Sequence, residues 1–149
     1  MKMVKDLIGA ELDYWVGRAE GENCKIQRVT MGVLRRGVEG RRVTYSADDY
    51  DRAFPFVDED RCLRIYKGFD GKERGGFWLN YSRNHALAGP IIDRMRISTK
   101  WSPEHQVWVA SSNPETSPIE WPEMDEHAER LVAAMRVCVR DRFGEDVGP

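Results

Sequence analysis

No stretch of this chain approaches the roughly 18 consecutive apolar residues that a membrane-spanning helix needs. The opening segment from Met1 to Gly9 also lacks the apolar core and cleavage site of a secretory leader. Neither membrane insertion nor export is expected, and the cytoplasm is the compartment the sequence suits. Charge of a single sign is missing too: 23 basic side chains stand against 25 acidic ones, for a formal charge of -2. That balance removes any global attraction to nucleic acid or anionic lipid and leaves only local patches.

Cysteine and histidine are scarce. Cys24, Cys62 and Cys138 are odd in number and far apart in sequence, so they make no complete disulfide framework and read as three reduced thiols. His85, His105 and His127 have no ligand spacing to one another or to a cysteine, so no metal site is expected. The nucleophile elbow Gly-x-Ser-x-Gly is absent around Ser82, and the turn Gly71-Lys72-Glu73-Arg74-Gly75-Gly76 lacks the pattern of a phosphate-binding loop. No catalytic residue is assigned, and no cofactor is called for.

What remains is a chain of 149 residues, 41% hydrophobic and 32% charged, which fits one folded α+β domain over residues 1–149. From Asp6 to Glu20 the apolar residues Leu12, Trp15, Val16 and Ala19 make a helical stripe, with Asp6 placed to cap it and Gly21 to end it. Tyr14 and Arg18, four apart, are spaced to stack on its flank. Cys24 to Val43 reads as strand, turn and strand. Arg61 to Phe69 and Gly75 to Ser82 read as a hairpin across the turn that opens at Asp70-Gly71, with Leu63 and Ile65 inward and Tyr66 outward. Two further extended pieces, Arg96–Lys100 and Gln106–Ala110, flank Ser102-Pro103-Glu104. Residues 113–122 hold Pro114, Pro118 and Pro122 and form a loop.

The last element is a long helix from Asp125 to Phe143, with Leu131, Val132, Met135, Cys138, Val139 and Phe143 on its inner stripe. Arg130, Arg136 and Arg140 are expected on the outside, Glu126 four residues before Arg130 as an ion pair, and Gly144 as the stop. The expected architecture is therefore a small antiparallel or mixed sheet packed by an N-terminal helix and a long C-terminal one.

Two charge runs neighbour each other. Arg28, Arg35, Arg36, Arg41 and Arg42 stand against Glu39, and six acids between Asp48 and Asp60 stand against Arg52. Mutual screening is the economical reading. A nucleic-acid patch on the arginines is the weaker one, because no aromatic or further basic residues extend it.

The stretch from Tyr81 to Arg94 is where strand periodicity gives way to a helical piece. Ser82 or Asn84 is placed to cap that piece, and Gly89-Pro90 marks either a helix start at Pro90 or the end of the preceding turn. Tyr81, Ser82, Asn84, His85, Asp93 and Arg94 are the candidate ligand-binding residues: Arg94 could pair with an anionic group, and Asp93 could orient His85.

Tyr81-Ser82, Ala86 and Gly89-Pro90-Ile91-Ile92-Asp93-Arg94 closely resemble the central motif of a family of small phage and prophage proteins, the NinX family, a domain of unknown function. The blocks Gly9 to Gly21, Leu131 to Arg136 and Phe143 to Val147 are similar to its N- and C-terminal blocks. Where the family usually has Asp-Trp and Gln-Gly pairs, this chain has Asn84-His85 and Leu87-Ala88. The resemblance implies a phage or integrated prophage setting, hence the cytoplasm of a bacterial host cell, and no established reaction.

With no paired chemical groups and five each of Trp, Tyr and Phe, a non-enzymatic accessory module that contacts a host or phage protein is the first expectation. A small-molecule or nucleotide site, which an enzyme could use, at Tyr81–Arg94 is the alternative. Nucleic-acid binding through residues 28–42 comes third.

Overall fold

A computed structural model describes residues 1–29, 59–112, 124–127 and 129–148. The arginine run beyond Arg28, the acidic run before Glu59, the second strand expected before Val43 and the proline loop at 113–122 lie outside the described residues.

The chain is α+β, with helices against antiparallel sheets. β1 (Lys2–Met3) leads through a 3-10 turn (Val4–Asp6) into α1 (Gly9–Ala19). Asp6 does not cap this helix: Ile8 holds the N-cap position and no side chain bonds there. The reason is that Val4 and Leu7 are both fully buried, so the 3-10 turn is pinned to the core and Asp6 stays with it, exposed. Leu12 and Val16 are buried, while Trp15 and Ala19 pack against the same core. The helix ends as expected, with Gly21 at φ +78°, and Arg18 lies 6.0 Å from the Tyr14 ring.

β2 (Cys24–Val29), β3 (Glu59–Lys67) and β4 (Glu73–Trp78) form one antiparallel sheet in that order. The hairpin is present with its turn two residues earlier than the sequence suggests, at residues 68–72, because Gly71 takes the left-handed conformation (φ +76°) and Gly68 N–H closes onto Lys72 O at 2.9 Å. Leu63 is half-buried, Ile65 buried and Tyr66 exposed. A register shift between Leu63 and Ile65 ends the regular ladder near Trp78.

α2 runs from His85 to Met95. It starts five residues before Pro90, which sits inside the helix and costs it one internal hydrogen bond. Asn84 makes the earlier start possible by accepting from Ala86 N–H at 2.9 Å. β5 (Ser98–Ser102), β6 (Val107–Ser111) and β7 (Met124–His127) form a second sheet in that order, antiparallel throughout.

α3 (Arg130–Phe143) is shorter than the periodicity implies, because residues 124–127 pair with Trp108–Ser111 as a strand. Glu126 therefore cannot form a helical pair with Arg130. Ten consecutive residues, Leu131 to Arg140, are buried, since α3 packs against the second sheet and also against α1, α2 and the 3-10 turn. Arg136 and Arg140 are accordingly not on an outer face. Arg136 Nε donates to Leu7 O at 2.9 Å and Arg140 Nε to Glu145 at 3.2 Å, so each buried cation has an acceptor. Arg130 alone is exposed, donating to Thr99 Oγ1 at 2.8 Å. Gly144 stops the helix at φ +89°, and β8 (Asp146–Val147) returns to pair with β1. Among the described residues no helix is long and apolar enough to cross a membrane.

Candidate functional site

After Trp78 the chain leaves the sheet. Leu79 N–H still donates to Cys62 O at 2.9 Å, and Arg83 N–H then closes a turn onto Asn80 O at 3.0 Å. That turn delivers Ser82 to the side of α1, where its backbone N–H donates to Asp13 Oδ1 at 2.7 Å. Asp13 is only 1% exposed. Burial pushes its pKa up from 3.8 to about 6, against the pull of the Ser82 amide and weaker pulls from the Ser82 hydroxyl and Arg83. The hydroxyl adds to the field at the carboxylate without making a well-formed hydrogen bond.

Two buried polar atoms here have no hydrogen-bond partner: Ser82 Oγ and Trp78 Nε1. Leaving such a group unpaired costs about 1–3 kcal/mol, so the pair marks a place where packing alone does not explain the chemistry. Around Trp78 the charges are organised. The Arg61 guanidinium lies 3.9 Å from the ring centroid and that of Arg83 5.3 Å. Glu59 joins them, 2.9 Å from Arg61 and 3.3 Å from Arg83.

The six residues singled out in the sequence are near one another in the chain but do not converge on one point. Tyr81 is buried, and burial with Glu22 and Glu20 nearby pushes its hydroxyl well above the usual range. Ser82 turns toward Asp13. Asn84 caps α2 and donates from Nδ2 to Asn80 Oδ1 at 3.1 Å. His85 and Asp93 are exposed on α2, eight residues apart and so about 12 Å along the helix axis. Asp93 does not orient His85. Arg94 is held by Glu20 through two bonds, 3.1 and 2.5 Å. A parallel clamp joins Arg64 to Glu22 at 3.0 and 2.7 Å, so the α1–β2 junction is tied to α2 and to β3 by paired charges.

Sequence reasoning missed Asp13, Glu59, Arg61, Trp78 and Arg83. A signal was available only for Asp13, which sits one turn before Val16 and Gly17 and so borders the apolar stripe. The thiols are inert by environment: burial raises the pKa of both Cys24 and Cys62, and pushes that of Cys138 to about 12. Cys24 and Cys62, far apart in sequence, are neighbours across β2 and β3. Among the described residues no group of three or more His, Cys, Asp or Glu side chains could hold a metal ion. Arg28 is exposed, with Asp60 at 3.8 Å.

Comparison with the curated proteins gives no match. The family described as Bacteriophage P22, NinX, matches residues 3–142. That match covers α1, the strand-to-helix corner and nearly all of α3, and by it the chain belongs to the bacteriophage P22 NinX family.

Proposed function

We propose that this phage accessory protein works by binding, and that the β3–β4 hairpin presents an aromatic surface to a host or phage protein in the bacterial cytoplasm. The observation that carries the reading is Phe69, fully exposed at the tip of the turn. Tyr66 and Phe77 on the same hairpin are 51% and 56% exposed. Single exposed apolar residues are ordinary; three aromatics on one hairpin are not.

The surface is preformed. The Tyr66 ring lies over Gly76, where a Cβ would come within 2.9 Å of it. Arg64 sits 5.5 Å from the Phe77 ring and is fixed by Glu22. Arg74 is paired with Asp70 at 3.0 Å. Together Tyr66, Phe69 and Arg74 border a cavity of about 620 Å³. Rigid aromatics flanked by arginine are the residue types that dominate binding energy at protein interfaces.

The test compares the tagged protein with a Tyr66→Ser/Phe69→Ser variant in lysate of bacteria infected by a phage carrying it. A protein retained by the wild type and lost, about tenfold or more, by a variant with an unchanged circular dichroism spectrum supports the hairpin as the contact. Equal retention by both removes it.

A second reading places a small-molecule or nucleotide ligand at the start of the Tyr81–Arg94 stretch, beside Ser82 and Arg83, since Tyr81, Asn84, His85, Asp93 and Arg94 do not converge there. The unpartnered Ser82 Oγ and Trp78 Nε1 beside Arg83 favour it; the capture of Arg94 by Glu20 counts against it. AMP that raises the melting temperature of the wild type, and not of Arg83→Ala, supports this site. No shift with AMP in the wild type removes it.

A further inference from the structure

The β3–β4 hairpin is richer in positive charge than in negative. Residues 64–77 hold four basic side chains, Arg64, Lys67, Lys72 and Arg74, against two acids, Asp70 and Glu73. Each acid is already taken by a cation of the chain. Asp70 accepts from Lys72 N–H at 3.1 Å and from Arg74 at 3.0 Å, contacts that hold its carboxyl below the ordinary range. Glu73 is paired with Lys25 at 2.7 Å, and Arg64 with Glu22 at 2.7 Å. Among the described residues that leaves Lys67 and Lys72, both exposed, as the hairpin cations without an ion-pair partner.

Lys67 also lines the cavity of about 620 Å³ at the hairpin tip, with Tyr66, Phe69 and the Asp70–Arg74 pair. Lys72 belongs to the same turn, whose closure uses only its backbone: Gly68 N–H donates to Lys72 O at 2.9 Å. Phe69, fully exposed, gains from burial by an apolar side chain brought from outside. A nucleic-acid backbone fits this surface less well. The arginines that could meet phosphates, Arg64 and Arg74, are engaged by carboxylates, and Asp70 at the cavity wall repels a densely charged strand.

We propose that the partner of this hairpin presents an acidic segment with a bulky apolar residue among its carboxylates. The apolar side chain enters the cavity bordered by Tyr66 and Phe69, and carboxylates on either side of it meet Lys67 and Lys72. This rests on the reading of the hairpin as a protein-binding surface and adds the chemistry of what it binds. Two uncompensated positive charges beside aromatic rings select an acidic segment over a neutral one by Coulomb attraction, and reject a lysine-bearing one by repulsion.

The test titrates the full chain with the end-blocked peptide Glu-Glu-Leu-Phe-Glu-Glu, its counterparts with Gln or Lys in place of Glu, and oligothymidylate, followed by the NMR shifts of the hairpin amides. The acidic peptide is expected to bind saturably with Kd on the order of 100 μM. Lys67→Gln/Lys72→Gln should weaken it about fivefold, as should raising the salt from about 0.05 M to about 0.5 M. No saturable binding of the acidic peptide overturns the proposal. So does equal binding of the Gln or Lys counterpart, an affinity unchanged by the lysine variant, or tighter binding of oligothymidylate. Retention from phage-infected lysate separates this proposal from the reading beneath it. A protein lost by Tyr66→Ser/Phe69→Ser but kept in full by Lys67→Gln/Lys72→Gln leaves the hairpin as the contact and removes its acidic partner. Equal retention by both variants and the wild type removes the hairpin itself.

Discussion

Asp13 is the residue whose chemistry is most altered by the fold. Its folded pKa of about 6 lies above the ordinary value of 3.8, so the folded state holds the proton more tightly than the unfolded chain. The stability this confers is complete below pH about 4, falls as pH rises through 4 to 6, and is gone above that. Two units at 1.36 kcal/mol each set the scale at about 2–3 kcal/mol. Asp13→Asn keeps an oxygen for the Ser82 amide and removes the titration. Urea denaturation at pH 4.5 and 7.5 should show a falling wild-type stability, a flat Asp13→Asn stability, and at pH 7.5 a variant at least as stable as the wild type. A loss of more than about 2 kcal/mol in the variant at pH 7.5 would mean that the ionised carboxylate gains more from its bonds than burial costs it. Asn84 gives a simpler case: Asn84→Ala removes the α2 cap and the bond to Asn80, and a denaturant midpoint should record a loss of about 1 kcal/mol.

At the scale of elements, Gly17 sets how closely α1 approaches β2. A Cβ there would lie 2.9 Å from Cys24 Sγ and 3.8 Å from Leu79 Cδ1. Alanine favours the helix by about 1 kcal/mol, but the buried sulfur has little room to yield, and overpacking costs about 1–3 kcal/mol. Gly17→Ala should therefore be destabilising by thermal melt, and Gly17→Ala combined with Cys24→Ala should recover at least about 1 kcal/mol of the loss. Simple addition of the two single effects would show that the contact is not strained.

The elements that could be read from the sequence are those whose periodicity has one cause. α1 shows a single apolar stripe because one side faces the core, and the β3–β4 hairpin is announced by its Asp-Gly turn. α3 misleads because it is covered on several sides: Arg136 and Arg140 look like outer residues until Leu7 O and Glu145 are seen to receive them. The residues from Met124 to His127 look helical until pairing with β6 captures them. Asn84 was legible as a cap from its type and place. The bond from Ser82 to Asp13 was not, since 69 residues separate the partners and no local pattern specifies such a contact.

For the whole molecule, α3 serves as the axis: the second sheet lies on one side, and α1, α2 and the chain's two terminal strands gather about the rest. The first sheet reaches outward through the β3–β4 hairpin, whose far end lies beyond the core cluster. Among the described residues, a packed core that carries a projecting aromatic hairpin is suited to contact a partner without rearranging, as pre-organised interfaces commonly do. The most direct test replaces Phe69 with a photo-crosslinking phenylalanine derivative in phage-infected cells, with the same replacement at exposed Asp93 as the control. Irradiation should give one discrete protein adduct from position 69 and none from position 93. No adduct at 69 at any stage of infection, or the same adducts from both positions, would contradict binding through the hairpin.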